Sequence, residues 1–426
     1  MNKLQSIRGM HDVLPAETPL WRWLEERLER VFAAYDFHEI RTPMVEQAEV
    51  FTRAIGQSTD VVEKEMYAFS DRNGDLLSLR PEGTAGVVRA VLQHGLLNPP
   101  GLKVWYRGPM FRHERPQKGR QRQFHQFGAE VFGLDQASAD VELILMVERI
   151  WRELGLSDNV RLEINTLGDR ADRERYRERL VAYLQPHREA LDEDSQRRLE
   201  SNPLRIFDSK HPATREIMAD APRLAEGLGG AAQSHFDSVC AALDRLGVDY
   251  RVNSGLVRGL DYYCRTVFEW LTDDLGAQGT VCAGGRYDDL VAMQGGKATP
   301  GIGFALGVER LLALVEASGT ERRQAPQVFL VTQVDSAVAL ELAESLRDQV
   351  EGLRLGVALA GGSFKSQFKR ADRSGARFAL ILGQEEFKAG TVALKDLRDR
   401  EADQETIALD ELPERLRERI RIRGDD

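Results

Sequence analysis

The sequence predicts a two-part molecule, an α+β body followed by a smaller α/β domain. Three features point to it. Residues 105–132 read as a strand, a polar loop and a returning strand, and Asn73-Gly74 between Met66–Phe69 and Leu76–Leu79 is a strong hairpin turn. Glu321–Pro326 is a polar run closed by proline, the composition of a domain boundary. Beyond it strand and helix patterns alternate, with strands at Val328–Val334, Leu355–Ala360, Phe378–Leu382 and Thr391–Leu394 and helices at Ser336–Val350 and Ser363–Ser374. That alternation predicts a compact domain with a mainly parallel sheet.

Along the body, Thr18-Pro19 reads as a cap residue followed by proline at the first helical position, and Leu20, Trp23, Leu24, Leu28, Val31, Phe32 and Tyr35 then share one helical face. His38–Glu46 reads as a strand with Pro43 inside it, which suits an edge or an interface. Arg80-Pro81-Glu82-Gly83-Thr84 lies where a strand ends and a helix begins, a place that gathers free N–H groups and favours anions. There Glu82 is either a dipole-matched cap or a ligand-binding acid. Ser138–Glu142 reads as a capped, acidic helix start, and Val160, Leu162 and Ile164 alternate as a buried strand. Residues 169–230 are rich in Arg and Glu at helical spacing, with Tyr176, Leu180, Tyr183 and Leu184 the main large apolar residues, and read as a solvated helical insertion within a body spanning 1–323. The smaller domain spans 326–426.

The densest chemistry lies at 105–132. Its loop carries Arg112, Arg115, Lys118, Arg120 and Arg122 against one acid, Glu114, in a chain of formal charge −10. On the return strand Phe124, Gln126, Gly128, Glu130 and Phe132 share a face, with Gln126 and Glu130 about 13 Å apart at ~3.4 Å per residue and Gly128 leaving room between them. An acid, an amide and a gap beside an arginine loop suit a small polar ligand joined to a polyphosphate; a hairpin with a solvated tip has the same residues. Further on, two glycines bracket Arg258, and Tyr263, Arg265, Val267 and Glu269 alternate as a strand. Gly301, Gly303 and Gly307 space a strand that runs into a helix bearing Arg310, either close packing against a helix or a backbone left bare for a flat ring.

Composition excludes several classes. No apolar run approaches the ~20 residues of a membrane span, and the amino terminus lacks an apolar signal segment. Three cysteines without metal spacing predict reduced thiols and a cytoplasmic protein. The acidic balance argues against a general nucleic-acid coat, and no Walker or dinucleotide fingerprint occurs.

Phe111-Arg112-His113-Glu114 with Gly128-Ala129-Glu130 resembles the second signature motif of class II aminoacyl-tRNA synthetases, His38–Glu46 the first and Gly301–Leu311 the third. Arg112–Arg120 with Gln123-Phe124-His125-Gln126, Gly255–Glu269 and Ala283-Gly284-Gly285-Arg286-Tyr287-Asp288 are similar to the histidyl-tRNA synthetase family in particular, although Cys264 stands where members usually carry another small residue. Lys365–Asp372 with Gly375-Ala376-Arg377 resembles that family's anticodon-binding domain. The resemblance implies an antiparallel catalytic sheet flanked by helices, a helical insertion near the tRNA acceptor stem, an anticodon domain and a homodimer. It implies histidine binding by Glu82, Gly83, Thr84, Gln126, Glu130, Arg258, Tyr262, Tyr263 and Tyr287, with Glu130 and Tyr263 on the two imidazole nitrogens. It implies catalytic roles for Arg112, Arg258 and Arg310, and ATP binding by Arg112, Glu114, Arg120 and Arg310. ATP is then a substrate, Mg²⁺ bridges its oxygens mostly without protein ligands, and L-histidine and tRNA(His) are the partners. The other readings are a catalytically silent, histidine-binding regulatory relative and a tRNA-binding module without catalysis.

Overall fold

Apolar residues at helical spacing in 20–32 and alternating in 102–132 pack against each other in the computed structural model, which describes all residues except 1–2, 57–58, 60, 118, 258–259, 277–278, 321–323, 400, 402 and 422–426. The chain divides into two compact units, Met1–Arg322 and Arg323–Asp426. The larger begins α1 (Thr18–Ala34), β1 (His38–Glu39), β2 (Val45–Gln47), α2 (Ala48–Ile55), β3 (Ala68–Ser70), β4 (Leu76–Leu79), α3 (Thr84–Gln93), β5 (Leu102–Phe111), β6 (Gln123–Phe132), α4 (Ala137–Leu154) and β7 (Arg161–Thr166). It continues with α5 (Arg170–Leu184), α6 (Glu193–Ser201), α7 (Pro212–Ala219), α8 (Gly230–Leu246), β8 (Tyr250–Val252), β9 (Cys264–Leu271), β10 (Thr280–Arg286), α9 (Leu290–Met293), β11 (Gly301–Gly307) and α10 (Val308–Ala317).

Eight strands form one sheet in the order β1-β5-β6-β11-β10-β9-β7-β8. The outermost pairs, β1 with β5 and β7 with β8, are parallel, and every pairing between them is antiparallel. One face packs on α1, α4, α8 and α10: Leu24, Leu28 and Phe32 of α1 meet Trp105, Phe127 and Phe304 there. Phe32 stacks on Trp105 at 5.1 Å and on Phe127 at 6.1 Å between ring centroids, contacts worth about 0.5–1.5 kcal/mol each beyond simple burial. The other face carries Val104, Tyr106, Phe132, Val267 and Tyr287 beneath α2 and α3.

Several local expectations need correction. Thr18 is the first helical residue, not a cap: its hydroxyl donates to the Pro15 carbonyl, and Glu17 accepts from the Leu14 N–H at 2.7 Å. His38–Glu46 is not one strand. β1 joins the large sheet while β2 joins a small antiparallel sheet, β2-β4-β3. Pro43, which has no N–H to offer a ladder, lies between them, and the buried Arg80 side chain takes the Thr42 carbonyl at 3.0 Å and the Pro109 carbonyl at 2.8 Å. On β9, Arg265 has φ +45° and the register to β10 slips beside it, so a bulge interrupts the regular alternation of Tyr263, Arg265 and Val267.

Ser138 lies inside α4 and does not cap it, while Asp140 stands in the first turn as expected. It is wholly buried and pairs with the equally buried Arg286 at 2.7 Å, while His235 of α8 reaches it at 3.1 Å. Burial alone would raise its carboxyl, but His235 and Arg286 outweigh that and hold it below the usual range. Arg286 also donates to the Leu134 and Gln136 carbonyls, both at 3.0 Å. The end of β10 is thereby tied to the start of α4. In the segment between β7 and α8, α5–α7 enclose a small core of their own, including Tyr176, Leu180, Leu184, Leu199, Ile206 and Met218.

The smaller unit contains β12 (Val328–Thr332), α11 (Ser336–Gln349), β13 (Leu355–Val357), α12 (Phe364–Arg373), β14 (Phe378–Leu382), α13 (Gln384–Ala389), β15 (Thr391–Asp396), β16 (Glu405–Ala408) and α14 (Leu412–Arg421). Its sheet, β13-β12-β14-β15-β16, is mixed rather than mainly parallel: β13, β12 and β14 run together, whereas β15 and β16 are antiparallel additions. Only six helical residues separate β14 from β15, and a parallel crossover needs a dozen or more. The buried Gln367 of α12 donates to and accepts from the backbone of Thr332, at 2.6 and 2.8 Å, and so locks that helix onto β12.

The five tryptophans (Trp21, Trp23, Trp105, Trp151 and Trp270) all lie in the larger unit, so fluorescence-monitored urea unfolding reports on that unit alone. Arg286→Met leaves the Asp140 charge buried with only His235 beside it, and should cost about 3–5 kcal/mol. Adding Asp140→Leu should restore most of that loss. If the single variant unfolds at the wild-type urea concentration, the pair does not hold β10 to α4.

Candidate active site

The register of β6 against β11 builds the floor. Phe132, Glu130, Gly128 and Gln126 stand opposite Gly301, Gly303, Ala305 and Gly307. The small residues of β11 therefore share the face of the β6 acid and amide, while Ile302, Phe304 and Leu306 point into the helix-packed core. Two of those glycines make room for the protein itself: a Cβ on Gly303 would lie 1.6 Å from the Glu130 carboxyl, and one on Gly301 would lie 2.3 Å from the Tyr287 ring. The gap left by Gly128 is likewise filled. Tyr106, directly opposite on β5, lays its ring over Gly128 and under Gly83, where added Cβ atoms would come within 2.2 and 2.1 Å of it. Gly83 thus serves by lacking a side chain, and sequence periodicity gave no sign that Tyr106 occupies this space.

Glu130 is fully buried. Thr84, the first residue of α3, donates to one of its oxygens at 2.7 Å and Tyr287 to the other at 2.5 Å. Burial pushes its carboxyl up to about 8 against the lowering effect of those two hydrogen bonds. Glu82 accepts from the backbone N–H groups of Thr84 at 2.9 Å and Ala85 at 2.7 Å. It therefore caps α3 and also lines the cleft. Its carboxyl too is raised by burial, which outweighs those donors. Tyr262 and Tyr263, both buried, sit side by side with ring centroids 4.6 Å apart, and Tyr262 meets Tyr287 edge-on at 5.8 Å.

Beside this acidic end the sheet opens into a cleft of about 320 Å³ lined by Glu82, Thr84, Gln126, Tyr262 and Tyr263 together with Arg112, Glu114, Arg120 and Arg310, with Thr280–Ala283, Ala305 and Gly307 as floor. Glu130 and Tyr287 lie beneath this lining. The Gln126 side-chain oxygen is buried without a hydrogen-bond partner among the described residues, as befits a group awaiting a ligand. Arg112 donates to the Pro81 carbonyl at 2.8 Å and its guanidinium lies over the Phe124 ring, 5.4 Å from the centroid. Arg310, in the first turn of α10, donates to the Gly119 carbonyl at 3.0 Å and to Thr280. Arg120 pairs with Glu114. Burial lowers the Arg310 pKa, and the nearby Arg120 and Arg112 charges lower it further. Three arginines are thus gathered along one cleft.

Of the other loop cations, Arg122 donates to the Glu114 carbonyl at 3.1 Å and Arg115 is exposed. Lys118 and Arg258 lie outside the described residues. The sequence reading passed over Glu309, which lines the cleft and whose carboxylate accepts from the His125 N–H at 2.9 Å, tying α10 to β6. Its place immediately before Arg310 was the available signal.

Residues 9–311 match the family model described as histidyl-tRNA synthetase, and residues 327–419 match the anticodon binding domain. The chain is 57% identical over 415 residues to the histidine–tRNA ligase of Halorhodospira halophila, covering 97% of this chain and 98% of that one. It is 56% identical to that of Alkalilimnicola ehrlichii, over 98% and 96% of the two chains. The crystal structure of apo S. aureus histidyl-tRNA synthetase superposes with a TM-score of 0.82 at 35% identity, covering 97% of this chain and all of that one. With matching motifs, fold and anticodon domain, this chain belongs to the histidyl-tRNA synthetase family.

Proposed function

We propose that this chain activates L-histidine with ATP and transfers the histidyl group to tRNA(His). The observation that carries the reading is the convergence of Arg112, Arg120 and Arg310 on a cleft whose other end holds Glu82, Thr84, Gln126 and Tyr263. In the first step a histidine carboxylate oxygen attacks the α-phosphorus of ATP, a P–O bond forms, and pyrophosphate leaves with the electrons of the broken bond. In the second, a terminal ribose hydroxyl of tRNA attacks the acyl carbon and AMP departs. The attacking carboxylate is already ionised, so the first step needs positioning and fixed positive charge rather than a base. Arg112 and Arg310, with Arg120, meet the phosphates through planar guanidinium forks suited to phosphate oxygens. The family resemblance assigns Arg258, too, to the α-phosphate. Mg²⁺ comes with ATP and neutralises phosphate charge. Glu114 and Glu309, the carboxylates at the phosphate end, are engaged by Arg120 and His125, so they would reach that ion through water.

Glu82, Thr84 and Gln126 face the amino-acid end, and Tyr263 and Glu130 the imidazole. Two donors reach the Glu130 carboxyl; a carboxyl that keeps its proton still has acceptor capacity beyond these and an O–H to donate, so it can engage an imidazole nitrogen in either sense. A site that hydrogen-bonds both ring nitrogens rejects an apolar rival by about 10⁴ or more. A homodimer is supported by Val45 and Phe69, exposed on one face of the small sheet, since apolar side chains gathered on one surface favour a partner. Among the described residues no helix is long and apolar enough to cross a membrane, which accords with a cytoplasmic enzyme. The reading as a silent regulatory relative is disfavoured by the retained arginines and the anticodon domain.

Glu130 gives a pH signature. Its carboxyl titrates near 4.5 unfolded and at about 8 folded, so between those values the native chain holds a proton that the unfolded chain has released. Its contribution to stability is therefore complete below about pH 4.5 and lost as pH rises to about 8. Relative to wild type, Glu130→Gln in the ligand-free protein should gain thermal stability as pH rises from about 5 to 8 and then level off. A Tm difference that stays constant over that range would mean that Glu130 is ionised throughout.

Arg258→His should lower kcat of histidine-dependent pyrophosphate exchange by ~10²-fold or more, with smaller changes in KM. A change confined to KM would assign Arg258 to ground-state binding instead. Histidine-dependent exchange and tRNA(His) charging by the full chain test the proposed function directly; a folded protein that performs neither overturns it. Truncation after Arg323 should retain measurable exchange, provided sedimentation and circular dichroism show a folded dimer, while aminoacylation falls much further. Undiminished charging by that truncated dimer would show that residues 326–426 do not bind tRNA.

A further inference from the structure

The helical segment between β7 and α8 is anchored at one point. Asp169 caps α5 in a reciprocal box with Asp172, and the buried Asp172 carboxyl also accepts from the Gly229 N–H at 2.8 Å, so the segment's entry and exit meet on one side chain. Arg173, the next residue, is mostly buried and points away from the segment's own core toward the loop that precedes β9. Its guanidinium donates to the Tyr263 carbonyl at 2.6 Å, lies 3.5 Å from the Asp261 carbonyl, and stands 3.7 Å from the Asp289 carboxylate. A second tie comes from Asn202 beyond α6, which donates to the Asp261 carboxylate at 2.8 Å. Beside these ties the junction is not filled: a cavity of about 310 Å³ lies there, lined in part by Arg173, Tyr176, Asn202, Phe207, Asp261 and Tyr263. Tyr262 and Tyr263 pack into the core beneath α2 and α3 on their other side, so on the side of the cavity the loop is held by these polar ties.

We propose that Arg173 is a positioning residue for histidine: through the Tyr263 carbonyl, α5 fixes where the adjacent Tyr262 and Tyr263 rings stand, so the helical segment forms part of the amino-acid site as well as any surface it offers to tRNA. The inference rests on the reading that Tyr263 faces histidine. It predicts an effect that appears without tRNA and on one substrate only. Tyr263 lines the same cleft as Arg310, but at the ATP end Arg112 is held by the Pro81 carbonyl, Arg310 by the Gly119 and Thr280 carbonyls and Arg120 by Glu114, all elsewhere in the chain.

The test is tRNA-free pyrophosphate exchange by the full-length protein, with histidine and ATP varied separately. Losing a charged donor to a carbonyl should raise the histidine KM of Arg173→Ala about tenfold, while the ATP KM stays within about twofold. Arg173→Lys, which keeps a cationic donor, should recover part of the loss, and Asn202→Ala should show a smaller rise of the same sign. A purely structural role would lower Tm and kcat without separating the two substrates, and that outcome overturns the proposal. Tyr263→Phe, measured alongside, distinguishes two failures. If it leaves the histidine KM unchanged, the pocket assignment fails and the inference falls with it. If it raises that KM while Arg173→Ala does not, only the inference fails. Should Arg173→Ala not fold, the same split in Arg173→Lys or Asn202→Ala supports the proposal, and wild-type values in both overturn it.

Discussion

The Glu130 carboxyl, wholly buried where β6, β11, α3 and the turn after β10 meet, is the interaction on which the arrangement of the larger unit depends. Taking a carboxyl out of water is costly unless donors replace its hydration. Thr84 supplies one, which requires α3 to start beside β6. Tyr287 supplies another, which requires the chain to turn sharply after β10. Gly303 leaves the carboxyl its space, since any side chain there would overlap it. The Arg286–Asp140 pair anchors the residue next to Tyr287, so a buried ion pair on one side of the sheet secures a hydroxyl on the other. These contacts form one connected system, and a change in any member is felt at the floor of the cleft.

Charge is distributed in the opposite sense to the whole. The chain carries a formal −10, yet three arginines converge at one end of the cleft and depress one another's affinity for a proton in the case of Arg310. Backbone carbonyls of Pro81, Gly119 and Thr280 hold two of these guanidiniums in place. A neutral carbonyl orients a planar guanidinium without cancelling its charge, whereas Arg120 is paired with the Glu114 carboxylate. The acidic and cationic ends meet where Arg112, held by the Pro81 carbonyl, lies close enough to Glu82 to act on its carboxyl.

Much of this was legible in local patterns. Alternation along Phe124–Phe132 placed Gln126 and Glu130 on one face, and the register confirms that face. The Asn73-Gly74 turn lies between β3 and β4, where Asp71 accepts from the N–H groups of Asn73 and Asp75. What failed did so for long-range reasons. The Gly128 gap belongs to Tyr106, a residue on another strand. His38–Glu46 divides between two sheets because Arg80, far along the chain, claims the carbonyl of Thr42. Asp140 is the helix-start acid expected, but its partners, His235 and Arg286, are distant in sequence and left no local sign. The smaller sheet was expected to be mainly parallel because alternation of elements reports order and not direction.

By itself, then, the sequence determined the properties that depend on spacing and residue type. These are the two-part organisation, the faces of strands and helices, the cationic loop and the glycines of β11, all set by periodicity of 2 or about 3.6 and by backbone chemistry. Only the tertiary structure decided which of those residues meet. It filled one glycine gap with Tyr106 and left the Gln126 oxygen without a hydrogen-bond partner among the described residues. It also raised Glu130 toward neutrality by burial, and brought Arg173 to the Tyr263 carbonyl. Burial and hydrogen-bond pairing are properties of neighbours in space, and the neighbours that matter here lie on different strands and helices, beyond the reach of any local pattern.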